Sequence, residues 1–200
     1  MTSTAQTLPV SARLPFAAAP ALLGAYGVIR IVDGLDGSHG PGAAWTIGHM
    51  CFLVGLAYFV RTFQVMREIG GRDRVGAVGF WVGAAGYLAL GAQFGIDLVV
   101  GFLSDDHADM AELFTRIQDV PGIEPVVYSF GPMLFFMAQL LLVTRLTARR
   151  VLRPWAPVLV LVATLLPFAD KDLIPLGAVL LLVSFAPLYR AGSRRVALAA

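Results

Sequence analysis

Charge is scarce in this chain. Asp, Glu, Lys and Arg make up 14% of its 200 residues, against about 25% in soluble globular domains. Cysteine is almost missing: Cys51 stands alone inside an apolar run, which excludes an internal disulfide and a cysteine-based metal site. Lysine is almost missing too. Lys171 is the only one beside fourteen arginines, a bias associated with high-GC bacterial genomes. The three histidines, His39, His49 and His107, form no ligand-spaced pair, so neither zinc nor a bis-histidine haem is expected. The sequence contains no His-Glu-x-x-His, no Walker loop and no G-x-S-x-G. No metal, no cofactor and no nucleic-acid partner is expected from this pattern.

Apolar residues fill the chain instead, at 58% and a mean hydropathy of +0.76. A helix crosses the hydrocarbon of a bilayer with roughly 20 apolar residues. Six segments are read as crossings: 14–32, 43–60, 75–103, 125–143, 154–168 and 173–189. The expectation is an all-α polytopic membrane protein, one bundle of six helices spanning residues 1–200. The first segment is longer than a signal-peptide core and no small-residue cleavage site follows it, so it is read as a retained helix. No internal repeat is visible of the kind from which many transporters are built. The third segment, "VGAVGFWVGAAGYLALGAQFG", is dense in small residues that let helices approach closely. It is expected to be central, and to tilt or extend outward.

The basic residues are unevenly placed. Arg13, Arg61, Arg67, Arg72, Arg74, Arg145, Arg149, Arg150, Arg153, Arg190, Arg194 and Arg195 fall at one set of helix ends; Arg30, Arg116 and Lys171 fall at the other. Cytoplasmic loops collect Lys and Arg, so both termini are expected in the cytoplasm of a bacterial plasma-membrane protein. Eleven of the thirteen acids lie toward the outer face.

One outer connection is acidic. Residues 104–119 read "SDDHADMAELFTRIQD", with Met110, Leu113, Phe114 and Ile117 on one helical face. Ser104 is expected as N-cap, with Asp105 and Asp106 at the positive end of the helix dipole. The pattern predicts an amphipathic helix over about 105–119, lying on the outer membrane surface. Asp105, Asp106 and Asp109 spell D-D-x-x-D. This resembles the magnesium-diphosphate motif of class I terpene synthases, whose second metal motif the chain lacks. Capping of a helix start accounts for the same letters without metal.

Asp97 is the residue that most needs explaining. A carboxylate within an apolar crossing is costly and marks a functional site by default. It lies seven residues before Ser104, about 10 Å below the outer end, and His49 lies at similar depth, about 9 Å past residue 43. Gln93 shares the face of Asp97 one turn further in. Tyr26, Arg30 and Asp33 form a stripe near the outer end of the first helix, and Tyr128 follows the outer start of the fourth. Arg30 and Asp33 are close enough in sequence to pair with each other. The 154–168 segment is short, which would draw Asp170 and Lys171 of the last hairpin down toward the same level. A polar cavity in the outer half of the bundle is therefore expected. Gln139 is the clearest polar residue outside that half.

The histidine of "WTIGHM", the aspartate of "FGIDLV" and the stretch "RRVLRPWAPVLVLVATL" together resemble small multi-pass membrane proteins of actinobacterial type whose function is unknown. The resemblance implies a bacterial membrane location and no particular activity. The functional expectation from the residues is acid–base catalysis on an apolar small molecule or lipid. Asp97 and His49 would be the acid–base pair, and Gln93, Tyr128, Tyr26, Arg30, Asp33, Asp170 and Lys171 would bind substrate. The alternative is a non-catalytic resistance, accessory or small transport protein whose polar groups only lock helices together.

Overall fold

The computed structural model describes residues 8–190. Among these the chain is helical and contains no strand. Helix α1 is Val10–Asp33, α2 Ala43–Ile69, α3 Arg74–Leu103 and α4 His107–Gln118. A π-helical segment, Glu124–Phe130, runs directly into α5, Gly131–Ala148. Helix α6 is Ala156–Ala169, a single 3-10 turn covers Lys171–Leu173, and α7 is Ile174–Tyr189.

Five helical stretches are long and apolar enough to cross a membrane, as a multi-pass membrane protein requires. The expected sixth, α6, has 14 residues. Its rise is about 21 Å, short of the roughly 30 Å hydrocarbon core. Prolines set this length: Pro157 lies in its first turn, Pro167 in its last, and Asp170 is already extended. Elsewhere helices exceed the apolar runs. Helix α2 continues from residue 60 to Ile69 and α5 from residue 143 to Ala148, because Arg and Gln side chains are good helix formers beyond the hydrocarbon.

Helices α1, α2, α3, α5, α6 and α7 form a ring in chain order, closed by α7 against α1. Neighbours run antiparallel. Phe16 near the start of α1 meets Phe185 near the end of α7, ring centroids 5.7 Å apart. The first residue of α1 and the last of α7 therefore lie at the same end of the bundle. Small residues bring α3 close to α5, as their density predicts. A side chain on Gly86 would collide with the Phe135 backbone, so only glycine permits this approach.

The bundle is solid at one end. Phe16, Phe63, Met66, Leu142, Leu146 and Phe185 are fully buried there. Arg145, also buried, donates through Nη2 to the carbonyl of Gly70 over 2.6 Å and to that of Gly71, and pairs with Asp73 over 2.8 Å. Arg149 meets the other oxygen of Asp73 at 3.0 Å. Asp73 also caps α3 by accepting from the Gly76 N–H. These bonds knot the α2–α3 turn to the end of α5. The arginines at residues 13, 61, 67, 72, 74, 145, 149, 150, 153 and 190 belong to this end; Arg194 and Arg195 lie outside the described residues.

Candidate functional site

The opposite half of the ring encloses a cavity of about 620 Å³, well within the size of small-molecule sites. One stripe of α2 faces it: Trp45, His49, Phe52, Leu56 and Phe59, spaced alternately four and three residues apart. That spacing keeps one helical face turned inward for about 21 Å. Helix α3 contributes Leu90, Gln93, Phe94 and Asp97 by the same rule.

Tyr128 reaches the cavity from the π-helical segment. Pro132 has no N–H to bond the helix behind it, and the Gly131 N–H reaches five residues back to the Val126 carbonyl. The widened turn carries Tyr128 across to α3, where its hydroxyl donates to Asp97 Oδ1 over 3.1 Å. Such π-bulges recur at functional sites.

The centre of the site is the pair His49 and Asp97. Both are buried, and His49 Nε2 lies 3.7 Å from Asp97 Oδ2. His49 Nδ1 lies 2.7 Å from the Trp45 carbonyl oxygen. A carbonyl only accepts, so Nδ1 carries a hydrogen and donates. The other ring nitrogen, Nε2, is left facing Asp97 Oδ2. Nε2 is therefore the ring nitrogen placed to exchange a proton with the carboxyl or with a bound molecule. Trp45, Tyr26, Phe52 and Phe94 wall this pair in. Trp45 lies over His49 at 4.1 Å, tilted by 32°, Phe52 stacks on Phe94 at 3.5 Å, and Tyr26 stands edge-on to both His49 and Phe94. Gly101 leaves room for the Trp45 indole, which any side chain there would strike.

The expected site residues divide. Asp97, His49, Gln93, Tyr128, Tyr26, Arg30 and Lys171 all line the cavity. Asp33 and Asp170 do not. Asp33 faces His39 Nδ1 at 3.5 Å, beside a shallower surface hollow of about 230 Å³. Asp170 caps the 3-10 turn by accepting from the Asp172 N–H at 2.8 Å. Arg30 pairs with Asp172 and not with Asp33, because the α6–α7 hairpin packs against the end of α1. Trp45, Phe52, Phe94, Gln139, His39 and His107 also line the cavity without having been singled out for it. The α2 stripe is the signal that would have found Trp45 and Phe52.

Helix α4 covers the mouth. Met110, Ala111 and Phe114 face the cavity and Met110 is buried, so the apolar face turns over the bundle. His107 Nδ1 donates to the His39 carbonyl at 2.7 Å and holds the start of α4 to the α1–α2 connection. Asp106, not Ser104, is the N-cap: its carboxylate accepts from the Ala108 and Asp109 N–H groups. Ser104 instead returns its hydroxyl to the Val100 carbonyl at the end of α3. Among the described residues no group of three or more His, Cys, Asp and Glu side chains is arranged to hold a metal ion. No family model, no curated protein and no solved structure matches this chain.

Proposed function

We propose that the protein is a membrane-embedded enzyme that moves a proton to or from an apolar small molecule or lipid. The observation that carries this reading is the engagement of His49 Nδ1 by the Trp45 carbonyl, which turns Nε2 toward Asp97 Oδ2, 3.7 Å away at the cavity wall. A carboxyl and an imidazole facing one another can pass a proton between them and a bound molecule. Asp97 with His49 forms the acid–base pair, Tyr128 fixes the carboxyl, and Gln93 orients substrate one turn deeper. Isomerisation, cyclisation by alkene protonation and hydrolysis all fit a site of this kind.

The same reading takes α6 as a sixth crossing, with both termini in the cytoplasm of a bacterial cell. Ten arginines at the closed end support that orientation. The cavity then opens to the outer leaflet, and membrane lipids are the protein's immediate partners.

One observation favours a non-catalytic alternative: the bonds of Trp45 and Tyr128 to Asp97 also lock three helical elements together. Asp97→Asn and His49→Gln decide between them. Lipid extracts of cells making the wild type should contain a species whose amount changes against cells making either variant, with the variants melting within a few degrees of wild type in detergent. Unchanged extracts together with a lowered melting temperature would leave the helix lock as the role of these residues.

A further inference from the structure

The floor of the cavity holds a polar group without a partner. Gln139 is only 2% exposed, lines the cavity, and its Nε2 makes no hydrogen bond. Leu56, Phe59, Phe135 and Leu181 line the same cavity. An amide N–H left unpaired in such surroundings is unfavourable and calls for an acceptor. Gln139 sits eleven residues beyond Tyr128 on one continuous helical stretch, so about 16 Å deeper. One molecule that touches both must be long and mostly apolar.

The wall between α5 and α6 shows where such a molecule enters. Phe168 is 64% exposed on the outside of the bundle and also lines the cavity. It meets Phe136 of α5 edge-on, at 6.3 Å between centroids. Pro167 next to it interrupts the hydrogen bonding of α6. Two rings therefore stand between the cavity and the face that acyl chains would cover, at the end of the shortest helix of the ring. Lys171, three residues beyond Phe168, lines the same cavity.

We propose that the cavity takes an elongated, mainly apolar molecule from the membrane, entering past Phe136 and Phe168, with an oxygen acceptor at its inner end bound by Gln139. This rests on the cavity being the substrate site. It specifies substrates that carry oxygen at the end remote from the reacting group, such as a hydroxylated or carbonyl-bearing long-chain lipid. Gln139 selects among them and takes no part in proton transfer.

Dodecanol and dodecanediol test it, titrated calorimetrically into the purified full-length protein in detergent. Extended dodecanediol is long enough to place one hydroxyl near Tyr128 and the other near Gln139. The diol should bind about 5-fold more tightly than the mono-alcohol, the effect of one added hydrogen bond. Gln139→Leu should remove that preference while leaving the mono-alcohol's affinity in place. The variant should also melt at or above the wild-type temperature without ligand, since it deletes an unpaired buried donor. Phe168→Ala should speed association of both probes. Equal affinities of the two probes for wild type, or a preference that survives Gln139→Leu, would overturn the proposal. No chemical step enters these measurements. An inert His49–Asp97 pair would leave them unchanged, and their failure would leave the acid–base reading of that pair standing.

Discussion

The indole Nε1 of Trp45 donates to the main-chain carbonyl of Asp97 over 2.9 Å, while the Trp45 carbonyl accepts from His49. One residue therefore positions both members of the pair, the carboxyl through its backbone and the imidazole through its ring hydrogen. Trp45→Phe keeps the stacking surface and removes the donor. We expect a loss of about 1 kcal/mol, the usual net size of a hydrogen bond, read as a melting temperature lowered by about 3 °C in detergent. Any activity should fall further than stability does, because Asp97 is no longer held against His49.

The knot around Asp73 makes acid stability depend on one carboxyl. Arg145, bonded to it directly, and then the Gly76 N–H hold its pKa down at about 2 from the usual 3.8. A depressed carboxyl contributes stability that is complete above its unfolded value and disappears as pH falls through its folded value. Melting curves of wild type and Asp73→Asn should therefore differ at neutral pH and converge between pH 3.8 and about 2. Asp73 is well exposed to solvent, so the difference is small and shrinks in high salt.

Two glycines of α3 separate close packing from mere helix propensity. Gly86→Ala puts a methyl into the Phe135 backbone and should destabilise by about 1–3 kcal/mol. Gly95→Ala meets open space, and should stabilise by up to about 1 kcal/mol. Thermal melts of the two variants side by side check both signs.

The cover over the mouth can be opened selectively. Phe114 lies 6.3 Å from Trp45, ring to ring. Phe114→Ala should leave the ring of six helices intact and expose Trp45 to water. In a background of Trp81→Phe and Trp155→Phe, iodide should quench Trp45 more strongly in this variant than with Phe114 present. Equal quenching would mean that α4 does not shield the site.

Hydropathy locates the helices because lipid requires continuous apolar runs, and it marks Asp97 because a carboxyl inside one stands out. It also brings His49 and Tyr128 to the right depth. What it leaves hidden are relations of rotation and of distance along the chain. Arg30 has Asp33 three residues away, yet its partner Asp172 is 142 positions distant. Linear depth assigns Gln139 to the closed half, although the cavity descends far enough to reach it. The face of α4 reads as amphipathic whether it rests on lipid or over a pit. The length of α6 is legible as short, and its effect on crossing is not, since hydrocarbon thickness is matched by the whole bundle and not by one helix.

The Arg145 knot has one more consequence. It closes one end of the ring with a guanidinium held by two carbonyls and a carboxylate, so the cavity is a pit and not a passage. A protein that carried solutes across the bilayer would have to dismantle those bonds and repack Leu142, Leu146 and Phe63 on every cycle. A protein that admits a molecule, alters it and lets it leave the way it came needs no such upheaval: the sealed half can stay rigid and keep the bilayer impermeable to ions.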